Sequence, residues 1–452
     1  MNFNSVEFLL FFLPLQLALF YLAPARLRLL VLLGGSIFFY GMSGDMAGFL
    51  LLVTVIWAGL VGTLGPKLRH GWLLAIALLP PFGFLYLFKY LDFTLAVVDP
   101  GGAIRPNFGP ILQFALPAGI SFYTFQIAAY LIDIHDNKIE RERNLILFAT
   151  FASFFPQLIA GPILRYTELR DQLLFISTAK KLSPDVARGL KYLSVGLAYK
   201  IFFADILRHF QETHSLEAGG GSLDAGFAVF AYSFIIYFDF WGYSLMAIGL
   251  ANLFCIELPR NFLEPYMSLS PKAFWRRWHV TLSYWIRDYL YLKLGGNRFY
   301  VRNIIIIFLA VGIWHGAGWN FLVWGGYHAI LVIGYHVLRS PWDALPKPLQ
   351  IFLTFVLVSL GWPLFYTDIG QYLAIMTTLF SFEAATGISQ FGVGHWLYLA
   401  LVACVVFGAR EDRWLFNTNP HRLFDHPITH ALTLFVSILF LSYGRTFIYF
   451  QF

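Results

Sequence analysis

Two histidines carry the chemistry this sequence can offer. His315 sits in "GIWHGAGWN" and His279 in "FWRRWHVTLSYWI", both within stretches that are otherwise apolar and aromatic. A neutral imidazole in a low-dielectric cavity, with its pKa near working pH, can act as general base toward a hydroxyl. Gly312, Gly316 and Gly318 flank His315, so other backbone or a ligand can approach it closely. Trp319 follows one turn later on the same face, and Trp314, Trp319 and Asn320 are candidate substrate contacts. His328 lies thirteen positions beyond His315, which at helical spacing turns it to another face and reads as packing.

The depth of His315 singles it out. Basic residues end at Arg302, thirteen positions earlier, or about 20 Å at 1.5 Å per residue. A hydrocarbon core is about 30 Å thick, so His315 is expected somewhat past the middle of a bilayer. Ionisable residues at that depth face cavities and are functional by default.

His279 belongs to "SPKAFWRRWHVTLSYWIRDYLYLKLGGNR" (270–298). Ser270 can cap a helix there, Pro271 suits its first turn, and Gly295 and Gly296 can end it. Read as one helix, it places Trp275, Trp278, His279, Leu282, Trp285, Ile286 and Tyr289 on one face, with Arg276, Arg277, Arg287 and Asp288 opposite. Such a helix lies along an interface or dips into a cavity, its arginines toward headgroups or an anionic ligand.

The elements that must position these residues are membrane helices. Of 452 residues 58% are hydrophobic and only 12% charged, against about 25% charged in a soluble domain; lipid is the solvent. Apolar spans begin near Val6, Leu27, Met46, Gly71, Ile111, Asn144, Gly189, Gly226, Asn303, Asn320, Leu349, Gly392 and Thr429. That predicts an all-α integral membrane protein with about 11–13 transmembrane or re-entrant helices, in a single multi-pass domain over 1–452. The basic residues sit in short loops, so the net charge of +6 reads as topology rather than as a nucleic-acid surface. Arginines follow the first run instead of preceding it, which suggests an uncleaved span with its start outside. Cys255 and Cys404 both have apolar neighbours and suggest neither a disulfide framework nor a metal site.

Loop charge also raises a conflict. The basic loops 65–70, 135–143, 164–191 and 256–302 are expected on the cytoplasmic side and the acidic, glycine-rich 212–226 outside. Loops 135–143 and 164–191 then lie on the same side of a segment long enough to cross. Pro156 and Pro162 interrupt that segment, so a re-entrant hairpin lining a cavity is expected near them.

"YFDFWGYSLMAIGLANLF" (237–254), "FWRRWHVTLSYWIRDYLYLKLGGNR" (274–298) and "GIWHGAGWNFLVWGGYHA" (312–329) resemble the membrane-bound O-acyltransferase family, in particular its bacterial polysaccharide-acetylating branch. "LPAGISFYTFQIAAYLID" (116–133) and the closing "FIYFQF" (447–452) are similar as well. The resemblance implies a helix bundle around a central funnel or tunnel in the bacterial inner membrane. Acetyl-CoA would enter from the cytoplasm as acyl donor, with no permanently bound cofactor and no metal. The acceptor would be an exported polysaccharide, alginate-like or another exopolysaccharide, reached directly or through a periplasmic esterase-like partner. Peptidoglycan and cellulose are alternatives, and D-alanyl transfer to a teichoic acid is a more distant one. His315 corresponds to the family's catalytic histidine and His279 to its second motif histidine. Arg276, Arg277, Trp278 and Arg287 become candidate donor contacts. Leu245 stands where this branch is expected to have an acidic residue, and "GWPLFYTD" carries Pro363 and lacks a closing arginine. A rival from another class is a transporter using His315, Asp239 and Asp133 as a proton or ion path, but the paired repeat it would favour is not visible.

Overall fold

In lipid every backbone N–H and C=O must be bonded within the protein, so uncharged apolar runs become helices. The computed structural model describes residues 1–42, 47–63, 68, 70–213, 221–381, 389–408, 414–416, 426–441 and 447. Lys67, Arg69, positions 214–220 of the acidic segment and all of the closing motif except Phe447 lie outside them. Among the described residues the chain is helical without strands, and the protein is an all-α integral membrane protein. Among the described residues four helices are long and apolar enough to cross a bilayer: Gly71–Val98, Ser222–Leu253, Gly296–His315 and Lys347–Phe365. Shorter apolar helices include Glu7–Leu22, Gly48–Gly62, Ile369–Phe380, Val393–Gly408 and Pro427–Leu439.

The chain forms two compact units. The first comprises Met1–Leu193 and Tyr243–Pro259. Its Ile120–His135 helix is buried along nearly its whole length. It starts nine residues later than the apolar run suggests, because Gly119 takes a left-handed φ of 75° in front of it. A Cβ on Gly119 would lie 2.6 Å from the Leu158 carbonyl, so only glycine fits. The segment around Pro156 is interrupted as expected: Leu145–Ser153 stops short, and a single turn follows at Phe155–Leu158. What that irregular backbone faces is protein. Phe154, Phe155, Leu158, Ile159 and Ala160 are buried. Gln157 Nε2 donates to Gln126 Oε1 (2.9 Å), and Phe155 N–H donates to Ser36 Oγ (3.2 Å). The basic loop 164–191 in turn contains a helix, Tyr166–Thr178. Buried Arg28 donates to the Ile176 and Ala179 carbonyls at its end (3.0 and 2.7 Å), where a cation suits both the orphan carbonyls and the dipole. Leu245 is fully buried in this unit, an apolar side chain at an apolar position.

The second unit comprises Ser194–Gly242 and Arg260–Phe452. Its hub is the N-terminal part of Ser222–Leu253, a 32-residue helix whose apolar window is wholly buried. The Gly196 carbonyl packs directly against Gly242, 2.7 Å from where a Cβ would stand. The helix Ile369–Phe380, absent from the expected spans, is capped by Asp368, whose carboxylate accepts from Gln371 N–H (2.8 Å). At twelve residues it falls below a spanning length, so hydropathy alone passed over it.

Candidate active site

The helices Tyr300–His315 and Trp319–Val337 form a tight pair in the second unit. Glycine makes the fit possible in both directions. A Cβ on Gly312 would stand 2.3 Å from the Phe321 carbonyl, and one on Gly325 would stand 2.3 Å from the Phe308 carbonyl. His315 is the last residue of the first helix, and the "HGAGWN" stretch breaks the ladder before Trp319. The imidazole is buried and packs against Trp314 (4.9 Å), Trp324 (5.1 Å) and Phe365 (5.1 Å between centroids).

The stretch 270–298 is not the single helix its periodicity suggests. Ser270 Oγ does cap Pro271–Trp275, accepting from Ala273 N–H at 3.2 Å. The helix then breaks, and His279 adopts a left-handed backbone with φ 44° and ψ 57° before Val280–Ile286 begins. A non-glycine residue there costs roughly 1–2 kcal/mol. Asn261 holds the turn from outside: its carbonyl accepts from Val280 N–H (2.9 Å) and its Oδ1 accepts from the Thr281 hydroxyl (2.6 Å). The break swings His279 inward, where it is buried against Phe240 (4.8 Å, edge-on) and Trp314 (6.1 Å). Trp314 therefore touches both histidine rings.

His279 and His315 line one cavity of about 260 Å³. Its wall follows one face of a helix: Tyr300, Ile304, Ile307, Phe308, Val311 and His315 fall within an arc of about 100° at helical spacing. Trp275, Arg276, Trp278 and Arg287 complete the opposite side. Arg277 lies outside the lining, its guanidinium turned to the Met267 carbonyl at 3.5 Å. Trp314 lies behind the histidines, and Asn320 Nδ2 donates to the Leu364 carbonyl (2.8 Å). Trp319 is 58% exposed, away from the face on which the sequence placed it. Pro363 is buried in the Trp362–Phe365 turn. A larger cavity of about 600 Å³, between Phe230, Phe234, Phe355 and Trp396, has no titratable side chain in its lining and nothing with which to move a proton.

His328 is fully buried against Trp275 and Trp324 (4.8 Å each), and Trp324 also touches His315. It supports the site rather than lining the cavity. The two aspartates of the ion-path alternative are occupied in ion pairs. Asp133, in the first unit, pairs with Lys138 (3.4 Å). Asp239 is buried between Lys200 Nζ (2.7 Å) and Arg208 Nη2 (3.3 Å), and Lys200 also holds Asp205 at 2.5 Å. Lys200, Asp205 and Arg208 gave no signal in the sequence, since they are dispersed through an apolar span. They meet because residues 199–205 form a π-turn, whose wider repeat brings positions five apart together. Among the described residues no three His, Cys, Asp or Glu side chains converge as a metal site would require.

Comparison with known proteins places the chain in a family. A model described as the membrane-bound O-acyltransferase family matches residues 134–342, which contain both histidines. A protein of Azotobacter vinelandii named "Probable alginate O-acetylase AlgI" is 38% identical over 436 residues, covering 91% of this chain and 85% of its own length. A peptidoglycan O-acetyltransferase of Helicobacter pylori is 34% identical, covering 80% of this chain and 76% of its own length. A teichoic acid D-alanyltransferase of Streptococcus thermophilus is 31% identical over 55% of this chain and 67% of its own length. The chain belongs to the membrane-bound O-acyltransferase family and is an acyltransferase.

Proposed function

We propose that the protein moves an acetyl group from cytoplasmic acetyl-CoA to hydroxyls of an exported polysaccharide across the bacterial inner membrane. The observation that carries this reading is the single cavity joining basic residues at one end to His279 and His315 at the other. A thioester lying along it presents its carbonyl to His315. His315 takes the proton of an acceptor hydroxyl as the oxygen attacks that carbonyl. The tetrahedral intermediate collapses, the carbon–sulfur bond breaks, and the proton passes to the leaving thiolate. Ester and thiol are the products, and no net proton is consumed. His279, fixed by its left-handed turn, faces the same cavity and orients or polarises the thioester. The acceptor is a polysaccharide hydroxyl, reached directly or through a periplasmic acyl-carrying partner. The relatives' names, which include alginate and peptidoglycan acetylation, support that class of acceptor.

The test is the acetyl ester content of exported polysaccharide in a deletion strain complemented with wild type or His315→Ala at equal membrane abundance. Wild type is expected to restore the esters, and the variant is expected to leave them at the deletion level. Equal restoration by both would remove His315 from the chemistry.

A further inference from the structure

The larger cavity of the second unit, about 600 Å³, is a groove that follows a membrane span. On the helix Lys347–Gly361 its lining takes positions 348, 351, 352, 355 and 356, and on Val393–Gly408 positions 396, 399, 400, 403 and 407. Both sets recur at three- and four-residue intervals, so each helix gives the groove one face along its axis. Phe230 and Phe234 of the Ser222–Leu253 helix stack on Phe355 (5.8 and 5.6 Å), and Phe407 meets Phe355 edge-on (5.1 Å). Ala400 and Ala403, the smallest lining residues, leave the width. Phe355 and Leu399 are buried at the floor, whereas Phe352 is exposed, so the groove opens on the surface. Among the described residues no lining side chain is charged. A sugar, nucleotide or peptide would lose its hydrogen bonds to water there without replacement, and a hydrocarbon chain would lose none.

Length and charge narrow the occupant. Pro348 to Val356 is eight residues, about 12 Å along the helix, and Trp396 to Phe407 is eleven, about 16 Å. One leaflet of a hydrocarbon core is about 15 Å deep. Lys347–Phe365 is long and apolar enough to cross the bilayer, which puts its first residue at headgroup level beside the Pro348 end of the groove. Lys347 is exposed and among the described residues forms no ion pair, whereas Arg339, just before it, is held by Asp343 (3.2 Å). We propose that the groove holds one acyl chain of an anionic phospholipid, with its phosphate paired to Lys347. An extended chain advances about 1.25 Å per carbon, so roughly ten to thirteen carbons fill the groove. A long isoprenoid would overrun it. The bound chain fills the space between three helices of the unit that carries both histidines, and the proposal stands independently of the acyl-transfer reading.

The experiment offers the purified full chain in detergent equal amounts of phosphatidylglycerol and phosphatidylcholine, then weighs the intact complex by native mass spectrometry. One phosphatidylglycerol per chain is expected to survive release of the detergent, favoured about fivefold over phosphatidylcholine, as for one basic residue at a membrane surface. Lys347→Gln should keep a lipid and lose the preference. Ala403→Phe, which puts a ring into the groove, should lose the lipid while eluting as a monodisperse peak, and Ala400→Leu serves if that variant does not fold. Leu401→Phe, on the exposed side of the same helix and outside the lining, should behave as wild type. Retention of no lipid by wild type, or equal retention after the groove is filled, would overturn the site. An unchanged preference in Lys347→Gln would overturn the pairing with phosphate, and a co-purifying isoprenoid phosphate lost on filling the groove would overturn the phospholipid.

Discussion

Replacing Lys200 by methionine isolates the energetic role of the buried ion cluster. Lys200 is fully buried, with Nζ 2.5 Å from Asp205 and 2.7 Å from Asp239, and Arg208 supplies the second cation. Among the described residues two cations face the two carboxylates. Methionine keeps most of the stem and deletes one positive charge, so the aspartates, 4% and 1% exposed, lose the cation that bridges them. Removing one partner of a buried pair costs about 3–5 kcal/mol, chiefly through the charge left behind. At 2–4 °C per kcal/mol for a unit of this size, the Tm should fall by roughly 6–20 °C. Adding Asp205→Asn removes one carboxylate in return with little change of shape and should recover at least half of the loss. The assay is thermal unfolding of the purified protein in detergent, followed by loss of the monodisperse peak on size exclusion. A drop under about 2 °C, less than 1 kcal/mol by the same scale, would mean that water or another cation already screens the aspartates. A double variant as unstable as the sum of the two single ones would show that the charges do not act as a unit. Either result refutes this account of Lys200.

Two further substitutions probe different terms. Gly325→Ala drives a methyl into the Phe308 carbonyl, a backbone group that cannot rotate away, whereas Gly326 has open space at the same position. The first should lose about 1–3 kcal/mol and most activity, the second neither; equal tolerance in melting and acetylation assays would show that the helix pair is not close-packed. Glu142, in a loop, accepts from the Tyr166 hydroxyl (2.6 Å), Asn144 N–H (2.7 Å) and Arg170 Nε (3.2 Å). Burial raises its pKa, but those three donors together outweigh burial and hold the carboxyl below its ordinary 4.5. The folded state therefore binds the proton less readily, and the stabilisation is present above 4.5 and lost as pH falls through the lowered value. Wild type should lose more Tm than Glu142→Gln between pH 5.5 and 3.5; parallel curves would assign the acid loss to other groups.

The close packing around His315 was legible because it depends on local spacing: a glycine marks close approach whatever the partner. The break at His279 was not legible. Helical periodicity over 270–298 survives a single left-handed residue, and the group that stabilises the turn, Asn261, lies eighteen residues earlier in a loop. The arginines differ in a way that their charges do not show. Arg276 and Arg287 line the cavity, Arg287 paired with Asp288, whereas Arg277 lies outside the lining and donates to a backbone carbonyl. Lys272, one turn ahead of Arg276, faces the cavity and had drawn no attention among the aromatic residues. The Lys200 cluster needed a π-turn and a partner helix to exist at all.

The strain at His279 and the pairing of its neighbours belong to one argument. A left-handed histidine persists only where surrounding bonds over-determine it. Here Asn261 fixes the two residues that follow, and the Ser283 hydroxyl donates back to the Trp275 carbonyl at 3.0 Å across the break. A continuous helix would satisfy the same backbone groups without that cost, but it would carry His279 around with the helical repeat instead of into the wall shared with Trp314 and His315. The chain keeps the costlier turn, and its consequence is two imidazoles facing one narrow cavity from separate, independently braced elements. Under the proposed function, such bracing positions both imidazoles before substrate arrives. The turn is also tied to the buried ion cluster, since Phe240, edge-on to His279, sits one residue after Asp239.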